Sequence, residues 1–197
     1  MVRVIWSPVS RFEGVCPMVR YIALLRAVNV GGRVVTMEAL RGLFEELGFA
    51  KVATFIASGN VIFETPSKAE AALKKKIEAH LRAALGYEVA TLLRTDAELA
   101  EVAAREPFTA VELKAAASLN VGFLETPLDA GAERALMALK TPDDEFRLYG
   151  RELHWLTRVK QNESKLTNVR IEKAIGGKIT FRGVNTVRKL AAKYPAL

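Results

Sequence analysis

One order of elements, strand-helix-strand-strand-helix-strand, can be read twice along this 197-residue chain, over residues 20–94 and again over residues 118–182. That order specifies a split β-α-β unit. A right-handed crossover makes the first and second strands parallel, and the third inserts between them in the opposite sense. The expected fold is therefore α+β: two tandem ferredoxin-like (α/β-plait, βαββαβ) lobes with antiparallel sheets. The copies share little residue identity, so the repeat is one of element order.

The first copy opens on a strand at Tyr21–Arg26. Thr36 then caps a helix whose apolar positions Met37, Leu40, Leu43, Phe44 and Leu47 make one face. Val52–Ala57 and Val61–Glu64 form a hairpin about Ser58-Gly59-Asn60. Ser67 and Glu70 have capping-box spacing for a second helix, which turns Leu73, Ile77 and Leu81 inward and stops at Gly86. Val89–Leu93 is the fourth strand. Thr95 and Glu98 repeat the capping-box spacing for a third helix, Asp96–Arg105, which Pro107 ends.

The second copy reads as a strand at Leu119–Leu124, a helix at Asp129–Leu139 and a hairpin of Glu145–Tyr149 with Glu152–Leu156. A helix at Asn168–Ile175 closed by Gly176, a strand at Lys178–Phe181 and a last helix at Thr186–Lys193 follow. The domain reading is an N-terminal extension over 1–17, loosely ordered, then a first lobe with its linker helix over 18–106. A second lobe with a basic C-terminal helix spans 107–197.

Face patterns differ between the copies. Phe146, Leu148, Leu153 and Trp155 share one face of the second hairpin, with Arg147, Tyr149, Glu152 and His154 on the other. That suits a sheet with one face free. In the first copy both faces are apolar: Tyr21, Ala23 and Leu25 against Ile22 and Leu24, then Val52 and Ile56 against Ala53 and Phe55. Such a sheet is buried on both sides, so its second face calls for a cover: the third helix, the other lobe or a second copy in a homodimer.

No run approaches the roughly 18 apolar residues of a membrane span, and residues 1–17 lack the apolar core of a secretory signal. The single Cys16 excludes an internal disulfide, and a cytoplasmic setting is expected. The net charge of +7 is uneven: residues 158–193 carry ten Lys/Arg against two Glu, a local balance of +8. An anionic partner follows naturally: a small molecule, nucleic acid or an acidic protein surface.

Plait geometry brings the loop after strand one beside the first hairpin turn. Arg26, Asn29, Gly31 and Gly32 would meet Ser58, Gly59 and Asn60, and glycine amides with an arginine fork suit carboxylate or phosphate. The competing reading is a turn whose polar groups bond their own backbone. In the second lobe the same logic gathers Arg158, Lys160, Lys165, Arg182 and Asn185. Catalytic candidates are weaker. His80 reads as helix surface, and His154 as a cross-strand polar partner of Arg147. Asp143-Asp144-Glu145 reads as a solvated turn rather than a magnesium site. Ser58 and Ser164 lack a nucleophile-elbow pattern. No metal site or cofactor is expected.

The stretches RYIALLRAVNVGGRVVTMEALRGLFEELGF and TFIASGNVIFET, with the tail KLTNVRIEKAIGGKITFRGVNTVRKLA, resemble the domain-of-unknown-function 1697 family of bacterial proteins over residues 18–194. The resemblance implies tandem plait lobes and no particular activity. Against that family's pattern, Ala27 stands where glycine is usual and Ala57 where glutamine is usual. Gly183-Val184 replaces an Asn-Trp pair. If the glutamine and tryptophan touch a ligand in relatives, that ligand or its affinity differs here. The leading functional expectation is binding of a phosphate- or carboxylate-bearing small molecule at the loop clusters. RNA or single-stranded nucleic-acid binding through the basic C-terminal lobe is the alternative, followed by a metal-independent enzyme or a self-associating module.

Overall fold

The computed structural model describes residues 17–196, except 30, 31, 33, 57, 58, 161, 162, 164 and 165. The first lobe runs β1 (Val19–Leu25), α1 (Met37–Glu46), β2 (Ala50–Thr54), β3 (Asn60–Thr65), α2 (Glu70–Leu85), β4 (Thr91–Thr95). Helices α3 (Asp96–Ala104) and α4 (Ala110–Lys114) lead to β5 (Ser118–Phe123), α5 (Ala130–Met137), β6 (Asp144–Tyr149), β7 (Glu152–Thr157), α6 (Asn168–Ile175), β8 (Thr180–Gly183) and α7 (Val184–Lys193). The two four-stranded sheets have orders β2-β3-β1-β4 and β6-β7-β5-β8, with neighbouring strands antiparallel. Each is the arrangement that the element order dictates.

Local signals explain most boundaries. Thr36 Oγ1 accepts from Ala39 N at the start of α1, and Thr95 with Glu98 forms a complete capping box on α3. Thr167 caps α6, which runs Asn168–Ile175 as read and closes on left-handed Gly176. Two expectations fail. Ser67 lies before the Ala69 N-cap of α2 and makes no cap bond to that helix; Glu70 is taken instead by Arg151 of the other lobe, 2.7 Å away. Helix α4, with its own Thr109–Glu112 capping box, is an element ahead of β5 that the expected element order lacks.

Three apolar clusters hold the molecule together. One lies between the first sheet and α1–α2, around Phe44, Phe63 and Ile77, and another between the second sheet and α5–α6, around Phe146 and Trp155. The third joins the lobes: Ile22, Leu24, Ile62 and Leu92 meet Leu99 and Val102 of α3, Val121 and Phe123 of β5, and Val187 and Leu190 of α7. The second apolar face of the first sheet is thus covered within the chain, by α3, α7 and the other lobe.

That same layer covers the face expected to be free in the second lobe. His154 is only 1% exposed. It stands opposite Arg147 in register, yet neither ring nitrogen has a hydrogen-bond partner. Arg147 turns away to Glu145 and Glu112, so the polar cross-strand pair does not form. Asp144 also departs from the solvated-turn reading: it is buried and accepts from Trp155 Nε1 (2.9 Å) and Thr141 Oγ1 (3.0 Å). Ile56, assigned to a strand, lies beyond β2, half exposed and with φ +51°. His80 is a partly exposed surface group 3.0 Å from Glu46, as read.

Candidate functional site: the seam between the lobes

The loop after β1 and the β2–β3 turn do converge. Leu25 N donates to Gly59 O at 2.8 Å. A Cβ on Gly59 (φ +72°) would sit 2.9 Å from Val28 Cγ1, so glycine is needed for both conformation and approach. The polar side chains at this junction are occupied, however. Asn29 clasps its own loop, accepting from Val35 N (2.7 Å) and donating to Val35 O (3.2 Å). Asn60 is fully buried and its Nδ2 donates to Phe55 O at 2.9 Å. Gly32 is an exposed left-handed turn residue. Gly31, Ser58 and Lys165, with Ser164, lie outside the described residues.

The described members of the second predicted cluster take different roles. Arg158 donates to Pro142 O (2.7 Å), Lys160 is exposed, and Asn185 is exposed on the first turn of α7. Arg182 instead reaches across into the first lobe. Its Nε donates to Asn60 Oδ1 at 2.6 Å, and one terminal nitrogen donates to Leu25 O (2.9 Å) and Gly59 O (3.3 Å). The other donates to Thr180 Oγ1 and Phe181 O, both at 2.9 Å. The two candidate clusters therefore meet, through a buried guanidinium that staples the lobes.

A reciprocal staple lies at the opposite pole. Arg94 Nε donates to Glu152 Oε1 (2.7 Å), and one terminal nitrogen donates to Leu124 O (2.7 Å) and Arg151 O (3.2 Å). The other donates to Leu93 O (2.6 Å). Leu25 and Leu124 stand at the ends of β1 and β5, Gly59 and Arg151 in the hairpin turns, Asn60 and Glu152 at the starts of β3 and β7. Each lobe inserts one arginine into the same place on the other, the pattern of an isologous two-fold interface. The flanking ion pairs follow the same relation with the sign reversed: Arg26–Glu172 at 2.7 Å and Lys74–Glu125 at 2.5 Å.

The poles differ in charge balance. Burial pulls the Arg94 guanidinium below its ordinary range, and Glu152 opposes that shift. Arg182, 8% exposed and facing neutral Asn60, is lowered to about 10 by burial alone. Sequence reasoning singled out Arg182 but not Arg94. The usable signal was positional, since both arginines lie on the last strand of their lobes and on the same face as inward apolar residues.

Among the hollows along the seam, two border Arg26. The larger, about 530 Å³, lies between α2, the outer edge of β4 and the second lobe. Arg26, Lys74, Lys75, Arg82 and Lys178 bring positive charge to it, and Glu78, Glu88 and Glu125 negative. Glu78 is committed to Thr91 N (2.8 Å), and Arg82 pairs with Glu88 at 3.5 Å. Lys75 and Lys178 form no ion pair among the described residues. The smaller, about 410 Å³, lies between Arg26–Ala27, Asn120, Asn168 at the start of α6, and the edge of β8. Arg26 borders both. Ala27, on its rim, has φ +59°, a conformation to which glycine is better suited.

Among the described residues no group of His, Cys, Asp and Glu could hold a metal ion, and no helix is long and apolar enough to cross a membrane. No curated protein matches the chain. Among solved structures it is similar to the conserved bacterial protein SP0830 from Streptococcus pneumoniae, at 24% identity and a TM-score of 0.72, over 90% of this chain and 98% of that one. That likeness supports the fold of both lobes. Residues 18–154 match the family described as Protein of unknown function (DUF1697), and the chain belongs to that family.

Proposed function

We propose that this protein binds a multiply charged anionic small molecule, bearing phosphate or carboxylate groups, in the larger groove along the lobe seam. The observation that carries this is a hollow of ligand size with five cationic side chains, of which Lys75 and Lys178 have no carboxylate partner among the described residues. The lysines neutralise charge, and Arg26, steadied by Glu172, presents a planar fork. This moves the expected site away from Asn29, Asn60 and Arg182, whose hydrogen bonds are internal, and keeps Arg26 at its centre. A reducing, cytoplasmic setting belongs to the same reading.

Nucleic-acid binding is the rival. Plait sheets that stack bases use an exposed face, and here helices cover both faces of the first sheet, with Phe63 fully buried. Phosphate contacts from the basic α7 would remain. Titration calorimetry with pyrophosphate, ATP and citrate against a single-stranded oligonucleotide, across salt, tests both. The groove reading expects a shallow salt slope and a roughly tenfold loss of affinity, ~1.4 kcal/mol, for each of Lys75→Ala and Lys178→Ala. Unchanged affinity in both variants overturns it. Steep salt dependence with only the oligonucleotide bound favours the rival.

A further inference from the structure

The two poles of the seam are built alike but balanced differently, and that difference points to a second site. Each pole buries a guanidinium against the end of a strand, a hairpin turn and the first residue of the strand that follows. At the Arg94 pole that residue is Glu152, so the buried charge has its counter-ion. At the Arg182 pole it is Asn60, and among the described residues no carboxylate pairs with Arg182. A buried cation without a counter-charge leaves a positive field on whatever opens beside it.

What opens beside it is the 410 Å³ hollow. Thr180 and Phe181, which accept hydrogen bonds from Arg182, line its wall, so the guanidinium sits one layer behind. Arg26 borders it, and the first turn of the eight-residue α6 begins there at Asn168, adding a further positive end. Glu172, the carboxylate nearest this rim on α6, is already held by Arg26 (2.7 Å) and by Ile179 N (3.1 Å). The counterpart hollow at the other pole is lined by Glu70 and Glu125 with one cation, Lys74, and is about half the size, 200 Å³.

We infer that the hollow between Arg26, Asn168 and the edge of β8 binds a tetrahedral oxyanion, a phosphate or sulfate group, which supplies the counter-charge that Asn60 does not. Occupancy therefore strengthens the docking of the second lobe on the first. This site shares Arg26 with the groove and differs from it in its other residues, Asn168 and Thr180 here against Lys75 and Lys178 there, so a phosphorylated ligand reaching past Arg26 would join the two.

The test is thermal unfolding of the full chain in sulfate and phosphate against chloride at matched ionic strength, with Asn60→Asp as the decisive variant. The wild type gains a saturable Tm rise of about 5–10 °C at a hundredfold excess over Kd. Asn60→Asp, which provides its own carboxylate, loses that rise, while Lys75→Ala/Lys178→Ala keeps it. Saturation by a phosphomonoester at lower concentration than inorganic phosphate identifies the bound group as the end of a larger ligand; equal midpoints identify free oxyanion. Should Asn60→Asp fold poorly, selenate soaked into wild-type crystals gives an anomalous peak at this hollow. No saturable rise in the wild type, a full rise in Asn60→Asp, or selenate bound elsewhere but not here overturns the inference. Loss of the rise only in the lysine variant assigns the anion to the groove.

Discussion

Replacing His154 with leucine tests whether a buried, unpartnered imidazole limits this protein in mild acid. The ring is 1% exposed with both nitrogens unbonded. Burial, helped by the charge of Arg105, lowers its pKa from 6.5 to about 4. Arg147 lies across one strand pair and Val121 across the other, and the Tyr149 ring meets the imidazole edge-on at 5.7 Å. No acidic group appears among these neighbours to favour the protonated form. Between pH 6.5 and 4 the unfolded chain therefore holds a proton that the native state refuses, so stability falls as pH falls through that window and levels below it. Two and a half units at about 1.4 kcal/mol each make the loss about 3 kcal/mol. His154→Leu abolishes that slope, and by removing two desolvated polar atoms it also raises stability at pH 7.5 by roughly 1–3 kcal/mol. Carboxylates act in a lower window. Glu64 and Glu145 are pushed up by burial but held below their ordinary range overall by Lys51 with Arg20 and by Lys140 with Arg147. Their contribution is present above about pH 4.5 and is lost as pH falls further, in both proteins alike. Urea unfolding followed by circular dichroism at pH 7.5, 6.0, 5.0 and 4.5 gives the difference profile. Parallel curves for the two proteins would refute the reasoning, because they would mean that His154 protonates freely in the fold.

Further outcomes follow from the same geometry. Ala27→Gly relieves a left-handed alanine at φ +59° and raises stability by about 1 kcal/mol in chemical denaturation; a loss instead would show that the loop holds a different conformation. Gly122→Ala puts a Cβ 2.5 Å from Ile179 Cδ1 and 2.6 Å from Phe181 Cε1, and costs about 1–3 kcal/mol by the same assay. Arg182→Leu removes the guanidinium donor from Leu25 O and Asn60 Oδ1, while Gly59 O keeps Leu25 N, whereas Arg94→Leu also strands Glu152. Each costs about 3–5 kcal/mol, with Arg94→Leu the larger; the opposite ranking would count against Glu152 as the counter-ion.

Much of the architecture was legible because it rests on short-range signals. The 3.6-residue spacing of Leu73, Ile77 and Leu81, the Thr95–Glu98 box and the Gly176 cap each act within a few residues. Where a local signal met a distant competitor, the reading failed. Glu70 has the right spacing to cap α2, but Arg151 binds it from the other lobe. Thr109–Glu112 has the same box spacing as Thr95–Glu98, and Pro107 separates α3 from the helix that this box caps rather than ending helical structure. The candidate cluster was half right: the β1 loop and the hairpin turn meet, but their asparagines serve the backbone and the other lobe.

From its sequence alone the chain commits to two plait lobes, to a doubly apolar first sheet and to a basic second half, because hydrophobic period and capping depend on neighbours in the chain. Only the tertiary structure decides which cations remain available to a ligand. Arg182 finds its acceptors in the first lobe 122 to 157 residues away and is spent on the seam, whereas Lys75 and Lys178 pair with no acid among the described residues. The cost of burying a guanidinium is repaid by whatever oxygen atoms folding places around it, and those atoms are brought together by the docking of one lobe on the other.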